Sequence, residues 1–100
     1  MVKHIILWRL KDFASGNDKN TNAQLIKEKL ESLYGKIPGL LKMEVGINFN
    51  ISEQSSDISL YSEFDSMESL DNYQVHSLHK EIMPFVAETR SERRVVDYEI

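Results

Sequence analysis

Three histidines and one tyrosine are the side chains of this 100-residue sequence best suited to proton-transfer chemistry. His76 and His79 are three residues apart, so they lie on one side of the chain if their segment is helical. An imidazole titrates near neutral pH and can act as a general base. Tyr73, about one turn before His76, can donate a hydrogen bond to a substrate carbonyl or enolate. One interpretation is therefore an acid–base site.

The third histidine, His4, leaves other interpretations open. It can approach the other two only from the helix-facing side of its strand, so we expect it to face the helices, on the same side as Ile6 and Trp8. Three imidazoles suit a metal such as zinc with one open position, or they line a ligand pocket without catalysing anything. Histidines at a strand start and a helix start also often cap backbone groups. Because no carboxylate is tied to the histidine pair, we expect no metal and no cofactor.

The elements that must position these side chains follow from the spacing of apolar residues. The sequence predicts four strands and two helical regions separated by loops. In chain order these are a strand at 2–11, a loop at 12–20, a helix at 21–35, a turn at 36–40, a strand at 41–49, a loop at 50–56 and a strand at 57–64. A helical region beginning at 65 then carries Leu70 and Tyr73 and resumes, after a gap, across Leu78, Ile82, Phe85 and Val86, and the last strand lies at 94–100.

Individual residues predict where the helices begin, bend and end. Gly35 is a typical stop for the first helix. Asp65 is the expected N-cap of the second, with Glu68 three residues later completing a capping box. Pro84 lacks a backbone donor, so we expect the helix to kink or restart there. The second strand is expected to place Leu41, Met43, Val45, Ile47 and Phe49 on one face.

The order β-α-β-β-α-β predicts a single α+β domain over residues 1–100. Its ferredoxin-like packing places both helices on one face of a four-stranded antiparallel sheet. The first strand is apolar on both faces, because Ile5 and Leu7 alternate with Ile6 and Trp8. The face away from the helices would then expose an apolar patch, which usually marks a partner surface. Two such sheets packed face to face predict a twofold homodimer.

Composition and charge exclude several classes of protein. The net charge is −4, and the one basic cluster, Arg90, Arg93 and Arg94, is interleaved with acids, so we interpret it as the solvated start of a strand and expect no nucleic-acid partner. No segment approaches the roughly 20 apolar residues of a membrane span. The absence of cysteine excludes a thiolate nucleophile or thiolate metal site and fits a cytoplasmic protein.

Six ordered segments resemble the stress-responsive dimeric α/β-barrel (Dabb) family, and together they cover nearly the whole chain. They are Met1–Leu7, Ile37–Leu40, Val45–Asn48, Ser62–Ser66, the Tyr73-x-x-His76-x-x-His79 motif and Val95–Glu99. The resemblance implies a homodimer in which two sheets enclose a central barrel with the helices outside.

The resemblance also implies roles for the four side chains. A plant polyketide cyclase of the family performs an aldol condensation without a cofactor. Its catalytic tyrosine and histidine correspond to Tyr73 and His79, and its supporting histidines to His4 and His76. Two of its polar pocket positions correspond to the apolar Leu30 and Ile58, and Ser77 stands where the family usually has proline.

Three functional hypotheses follow. The first is a protein that binds a small hydrophobic or carbonyl ligand, with cyclase- or isomerase-type activity in which His79 is the base, Tyr73 the donor, and His4 and His76 orient them. The second is a non-enzymatic, stress-associated dimer. The third is a haem- or oxygen-using relative, although an axial ligand and a large cavity are hard to fit into 100 residues.

Overall fold

A computed structural model describes all 100 residues and contains the predicted elements in the predicted order, with short additions. The elements are β1 Val2–Leu10, β2 Phe13–Ala14, β3 Asn17–Asp18, α1 Lys19–Glu31, β4 Leu40–Ile47, β5 Ile58–Phe64, α2 Met67–Val75, α3 Ser77–Thr89 and β6 Arg90–Glu99. The prediction of a loop at 12–20 is wrong, because β2 and β3 form a small hairpin there. Helix α1 also begins at Lys19, before the predicted end of that loop. Ser15 and Gly16, both at positive φ, make the hairpin turn.

The main sheet has the order β4-β5-β1-β6, and every neighbouring pair is antiparallel. Along β1 and β5 the buried residues alternate with more accessible ones, so one face of the sheet carries the core. The helices cover that face with Ile26 and Leu30 of α1 and Val86 of α3, which are buried in the same cluster. The predicted α+β fold, with helices on one face of a four-stranded antiparallel sheet, is confirmed.

Helix α1 begins and ends earlier than predicted. Asp18 caps it, and its side chain accepts a hydrogen bond of 2.8 Å from the backbone N–H of Thr21. The helix ends at Glu31, and Gly35 lies in the turn that follows, at a φ of +85°. Gly35 is therefore a turn residue, and the expected helix over 21–35 is wrong at both ends.

The predicted capping box at the start of α2 is also wrong. Ser66, whose backbone is extended, is the N-cap, and its hydroxyl accepts from the backbone N–H of Ser69 at 3.1 Å. Asp65 instead accepts a hydrogen bond from the Ser69 hydroxyl. With the cap at Ser66, Glu68 lies one position too early in the helix to complete a box.

The second helical region breaks at His76, within the expected gap between Tyr73 and Leu78, but it runs through Pro84, where we expected a kink or a restart. His76 has an extended backbone and separates α2 from α3, whereas Pro84 lies inside α3. Pro84 and Lys80 are both exposed. Water can therefore satisfy the Lys80 carbonyl that lacks an N–H partner four residues later.

The strand boundaries differ where local pairing overrides the alternating pattern. The register of β4 against β5 shifts at Leu41, so Leu40 is buried while Leu41 is exposed. Phe49, expected on the core face, lies beyond the strand and is 96% exposed. Strand β6 begins at Arg90, four residues before the predicted start.

None of the helices is both long and apolar enough to cross a membrane.

Helix α1 protects the free edge of β4 through one ion pair. The Glu31 carboxylate accepts from Lys27 Nζ at 2.8 Å and from the Val45 backbone N–H at 3.0 Å. Lys27 Nζ also donates to the Val45 carbonyl at 2.6 Å. The hydrogen bonds from Lys27 and Val45 hold the pKa of Glu31 below its ordinary value. Backbone groups that would otherwise attract another strand are thereby occupied.

Replacing Glu31 with alanine should lower the free energy of unfolding at pH 7 by about 1 kcal/mol, because the half-exposed pair is partly screened by water. A carboxyl with a lowered folded-state pKa stabilises above its unfolded pKa and stops doing so as the pH falls through its folded pKa. The difference between the variant and the unmodified protein should therefore shrink below about pH 4.

Urea denaturation at several pH values measures this difference, with Glu28→Ala as the matched control. Glu28 is exposed on the same helix, and its loss should change stability by less than about 0.5 kcal/mol. Equal effects of the two substitutions would contradict the edge-protecting role of Glu31.

Candidate functional site

A cavity of about 130 Å³ lies between the helix-facing side of the sheet and helices α1, α2 and α3. Its wall contains three of the four side chains that the sequence singled out, namely His4 from β1, Tyr73 from α2 and His79 from α3. The prediction that His4 faces the helical layer, on the side of Ile6 and Trp8, is confirmed. Most of the remaining wall is apolar, with two arginines from the start of β6.

His4 is held from both neighbouring strands. It is 3% exposed, and its Nδ1 pairs with the carboxylate of Asp97, the residue directly opposite on β6. On the other side, the Ser62 hydroxyl of β5 donates to the His4 backbone carbonyl at 2.9 Å. Because a carboxylate can only accept, Nδ1 carries a proton, and Nε2 is the ring nitrogen left for other contacts.

Tyr73 presents a buried phenol to the same space. The residue is 1% exposed, and its hydroxyl has no hydrogen-bond partner in the protein. Burial raises the pKa of Tyr73 far above its ordinary value, so the phenol remains protonated at any physiological pH. It can therefore act only as a neutral hydrogen-bond donor or acceptor.

His79 stacks on that phenol, with ring centroids 4.4 Å apart. Its Nδ1 lies 3.2 Å from the Gln74 carbonyl, which can only accept, so Nδ1 carries the proton and Nε2 holds the free lone pair. Burial lowers the pKa of His79; the Gln74 contact opposes this, and the charges of His4, Arg93 and His76 add to the lowering. At neutral pH the imidazole is therefore uncharged and able to accept a proton.

His76 does not join the other three side chains at the cavity wall. It is the N-cap of α3, and its Nδ1 accepts from the backbone N–H of Leu78 at 3.1 Å. The break at His76 nevertheless shapes the site. In one continuous helix, residues six apart such as Tyr73 and His79 would point roughly 120° apart, on different sides. The change of helix direction at His76 allows them to stack.

Three polar features of the site were not recognised in the sequence. Asp97 pairs with His4. The alternating pattern of β6 could have predicted this pair only if the register of β6 against β1 had been known. Trp8 lines the cavity with a buried indole N–H that has no partner in the protein. Arg90 and Arg93 also line it, although Arg93 is exposed and Arg90 half-buried, so the cluster is accessible to solvent as expected but also borders the cavity.

No group of three or more histidine, aspartate or glutamate side chains is arranged to hold a metal ion. The zinc hypothesis required all three imidazoles to converge, whereas His76 binds a backbone amide instead.

One known protein family matches nearly the whole sequence of the chain. The sequence profile of the Stress responsive A/B Barrel Domain matches residues 2–100. No curated protein sequence matches the chain.

Solved structures share the fold over nearly the whole chain. A dimeric protein of unknown function and ferredoxin-like fold from Bacteroides fragilis is 38% identical, with a TM-score of 0.86, covering 99% of this chain and 95% of its own. A dimeric ferredoxin-like protein from Thermobifida fusca is 20% identical, with a TM-score of 0.84 and coverages of 99% and 90%. Hydroxynitrile lyase from Passiflora edulis, 17% identical with a TM-score of 0.81 and coverages of 99% and 92%, is similar in fold alone.

The imidazole of His79 should titrate below the ordinary histidine pKa of about 6.5, because burial disfavours its charged form. Nuclear magnetic resonance of the ring signals as a function of pH measures this directly. Arg93→Gln should raise the pKa of His79, since one nearby positive charge is removed, whereas Arg94→Gln should leave it unchanged. A pKa of His79 at or above 6.5 in the unmodified protein would contradict the described burial.

Proposed function

The chain belongs to the stress responsive A/B barrel domain family, and from this we propose that it is a homodimer that binds a small carbonyl compound and moves a proton at the carbon next to the carbonyl, without a cofactor. The observation that carries the proposal is the stacking of a neutral imidazole on a buried phenol within one cavity.

The proposed chemistry needs one base and one donor. His79 Nε2 takes the proton from the carbon, and the bonding electrons move to the carbonyl oxygen to give an enolate. The Tyr73 hydroxyl, which has no partner in the protein, donates a hydrogen bond to that oxygen. The proton then returns from His79 to the same or another carbon, as in an isomerase or an aldol-type cyclase.

His4 supports this pair from a distance rather than touching both rings. Its ring centroid lies 6.4 Å from that of Tyr73, at a steep angle, and Asp97 holds its orientation. A buried imidazole fixed in this way packs beside the phenol and leaves Nε2 free to accept a hydrogen bond from a ligand hydroxyl. His76, as the cap of α3, contributes by placing the helix that carries His79.

The size of the cavity decides between substrate classes. About 130 Å³ is close to the roughly 150 Å³ that holds benzene and well below the roughly 300 Å³ at which pockets for drug-sized ligands begin. A molecule of about six to nine non-hydrogen atoms fits, whereas a tetrapyrrole or a long polyketide does not. The apolar Leu30 in the wall also favours a small compound.

The homodimer is supported by the sheet face that the helices leave uncovered. Leu7 of β1 lies at its centre and is 42% exposed, with the exposed Val96 and Tyr98 beside it on β6. The 38% identical Bacteroides fragilis protein is dimeric. Pairing two such faces would bury these apolar side chains in a twofold interface.

Exchange of carbon-bound hydrogen for deuterium tests the catalytic proposal without knowledge of the full reaction. Small ketones and keto acids are first screened for a rise in melting temperature, which reports binding to the folded protein. Exchange next to the carbonyl of each binder is then followed by proton magnetic resonance in heavy water. His79→Ala should slow the protein-dependent exchange by about 10²–10⁴-fold, and Tyr73→Phe by on the order of 10²-fold with a smaller effect on binding.

Two controls make this result specific. Lys80→Ala changes an exposed neighbour of His79 on the same helix and should leave the exchange rate unchanged. A chelator should have no effect, whereas a metal-dependent reaction would stop. If compounds bind but none exchanges, the protein is the non-enzymatic dimer of the second hypothesis. If His79→Ala exchanges at the full rate, the assignment of the base is wrong.

Leu7→Lys should convert the dimer into monomer or aggregate, because it places a charge at the centre of the proposed apolar interface. Sedimentation velocity at micromolar concentration measures the change. Val75→Lys is the matched control, since Val75 is 64% exposed on α2, away from the sheet. A stable monomer in the unmodified protein, or equal dissociation by both substitutions, would refute an interface through this face.

A further inference from the structure

The cavity wall carries positive charge without any balancing acid. The chain has four arginines, and two of them, Arg9 and Arg94, pair with Glu92. The other two, Arg90 and Arg93, line the cavity, form no ion pair and donate no side-chain hydrogen bond within the protein. Arg93 is exposed and Arg90 half-buried, so they border the accessible side of the cavity, where a guanidinium can bind a carboxylate or phosphate.

No aspartate or glutamate belongs to the cavity wall. The nearest acid in the strand pairing, Asp97, is already paired with His4. In a chain of net charge −4, this cavity is therefore a local region of positive charge. The effect of Arg93 on His79, whose pKa it lowers, shows that its charge reaches the base.

The buried end of the cavity offers hydrogen-bond donors that also lack partners. Trp8 Nε1 can only donate, and Trp8 is 2% exposed. The Tyr73 hydroxyl is the second unpartnered group. Leaving such groups unpaired costs free energy that a ligand oxygen would recover. The wall therefore suits a ligand rich in acceptor oxygens, with its charge toward the more accessible arginines and a carbonyl toward the buried donors.

We propose that the substrate is a small keto acid whose carboxylate is bound by Arg93 and Arg90 while its carbonyl lies against Tyr73 and His79. Arg93 lies directly opposite Trp8 in the pairing of β6 with β1, so both side chains project to the helix-facing side. The inference rests on the proposed function, because it names the substrate class of the same site. It adds a specificity-determining role for residues outside the predicted histidine set.

Matched acid and ester probes test this inference. The probes are 4-oxopentanoate and its methyl ester, which have the same ketone and differ in charge. Isothermal titration calorimetry should show that the unmodified protein binds the acid at least about 10-fold more tightly than the ester. Arg93→Gln should weaken binding of the acid by roughly 10- to 100-fold and leave that of the ester unchanged. Arg93→Lys should restore part of the affinity, since it keeps the charge but not the planar fork.

Arg94→Gln is the control, because Arg94 is the adjacent arginine and already has a partner. Circular dichroism checks that each variant is folded, and Arg90→Gln is a second variant should Arg93→Gln be unstable. Inorganic phosphate is titrated in parallel, because it shares the chemistry of a small oxyanion. Tighter Arg93-dependent binding of phosphate than of the keto acid would overturn the assignment to a carboxylate.

The outcomes separate this inference from the proposed function. If acid and ester bind equally and Arg93→Gln affects neither, the keto acid inference is wrong, while His79-dependent exchange on the ester would still support proton transfer. If the acid binds through Arg93 but no exchange occurs, the carboxylate site is supported and the proton-transfer proposal fails.

Discussion

The pairing register of β1 with its two neighbours is the constraint on which the site depends. Side chains alternate along a strand, so a slip of one residue would turn His4 away from the helices and into the open face. The same slip would separate His4 from Asp97 and move Arg93 away from Trp8. Antiparallel pairing of β1 on both sides fixes this register. His4, Ile6 and Trp8 are buried at alternate positions of β1. A shifted register would cost free energy, because it would expose the apolar side chains among them to water.

The interruption of the helical region at His76 is the second constraint, and it acts on orientation. One residue both ends α2, through its backbone N–H, and caps α3, through its imidazole, so the chain changes direction with the Leu78 amide satisfied. This allows Tyr73 and His79 to stack although a continuous helix would hold them apart. The spacing of His76 from His79 suggested a catalytic role, but His76 shapes the site by setting the direction of the backbone.

Burial gives Tyr73 and His79 their chemical states. An apolar wall keeps the Tyr73 phenol protonated and the His79 imidazole neutral, and the Gln74 carbonyl determines which ring nitrogen of His79 is free. Arg93 acts in the same direction on the imidazole, and together with Arg90 it supplies the charge for the proposed anionic ligand. The proposed acid–base chemistry and the proposed ligand preference therefore come from one environment.

Local periodicity is enough to predict the α+β class, the order of the main elements and the apolar character of both faces of β1. Spacing and family resemblance also point to His4, Tyr73 and His79. The helix ends, the displacement of His76 from the cavity, and the arrival of Asp97, Arg90 and Arg93 at the site emerge only once the chain is folded. These depend on pairing between β1 and β6, which are separated by most of the chain. They also depend on which of two adjacent residues, Asp65 or Ser66, caps α2. Contacts of that range leave no periodic signal in the sequence.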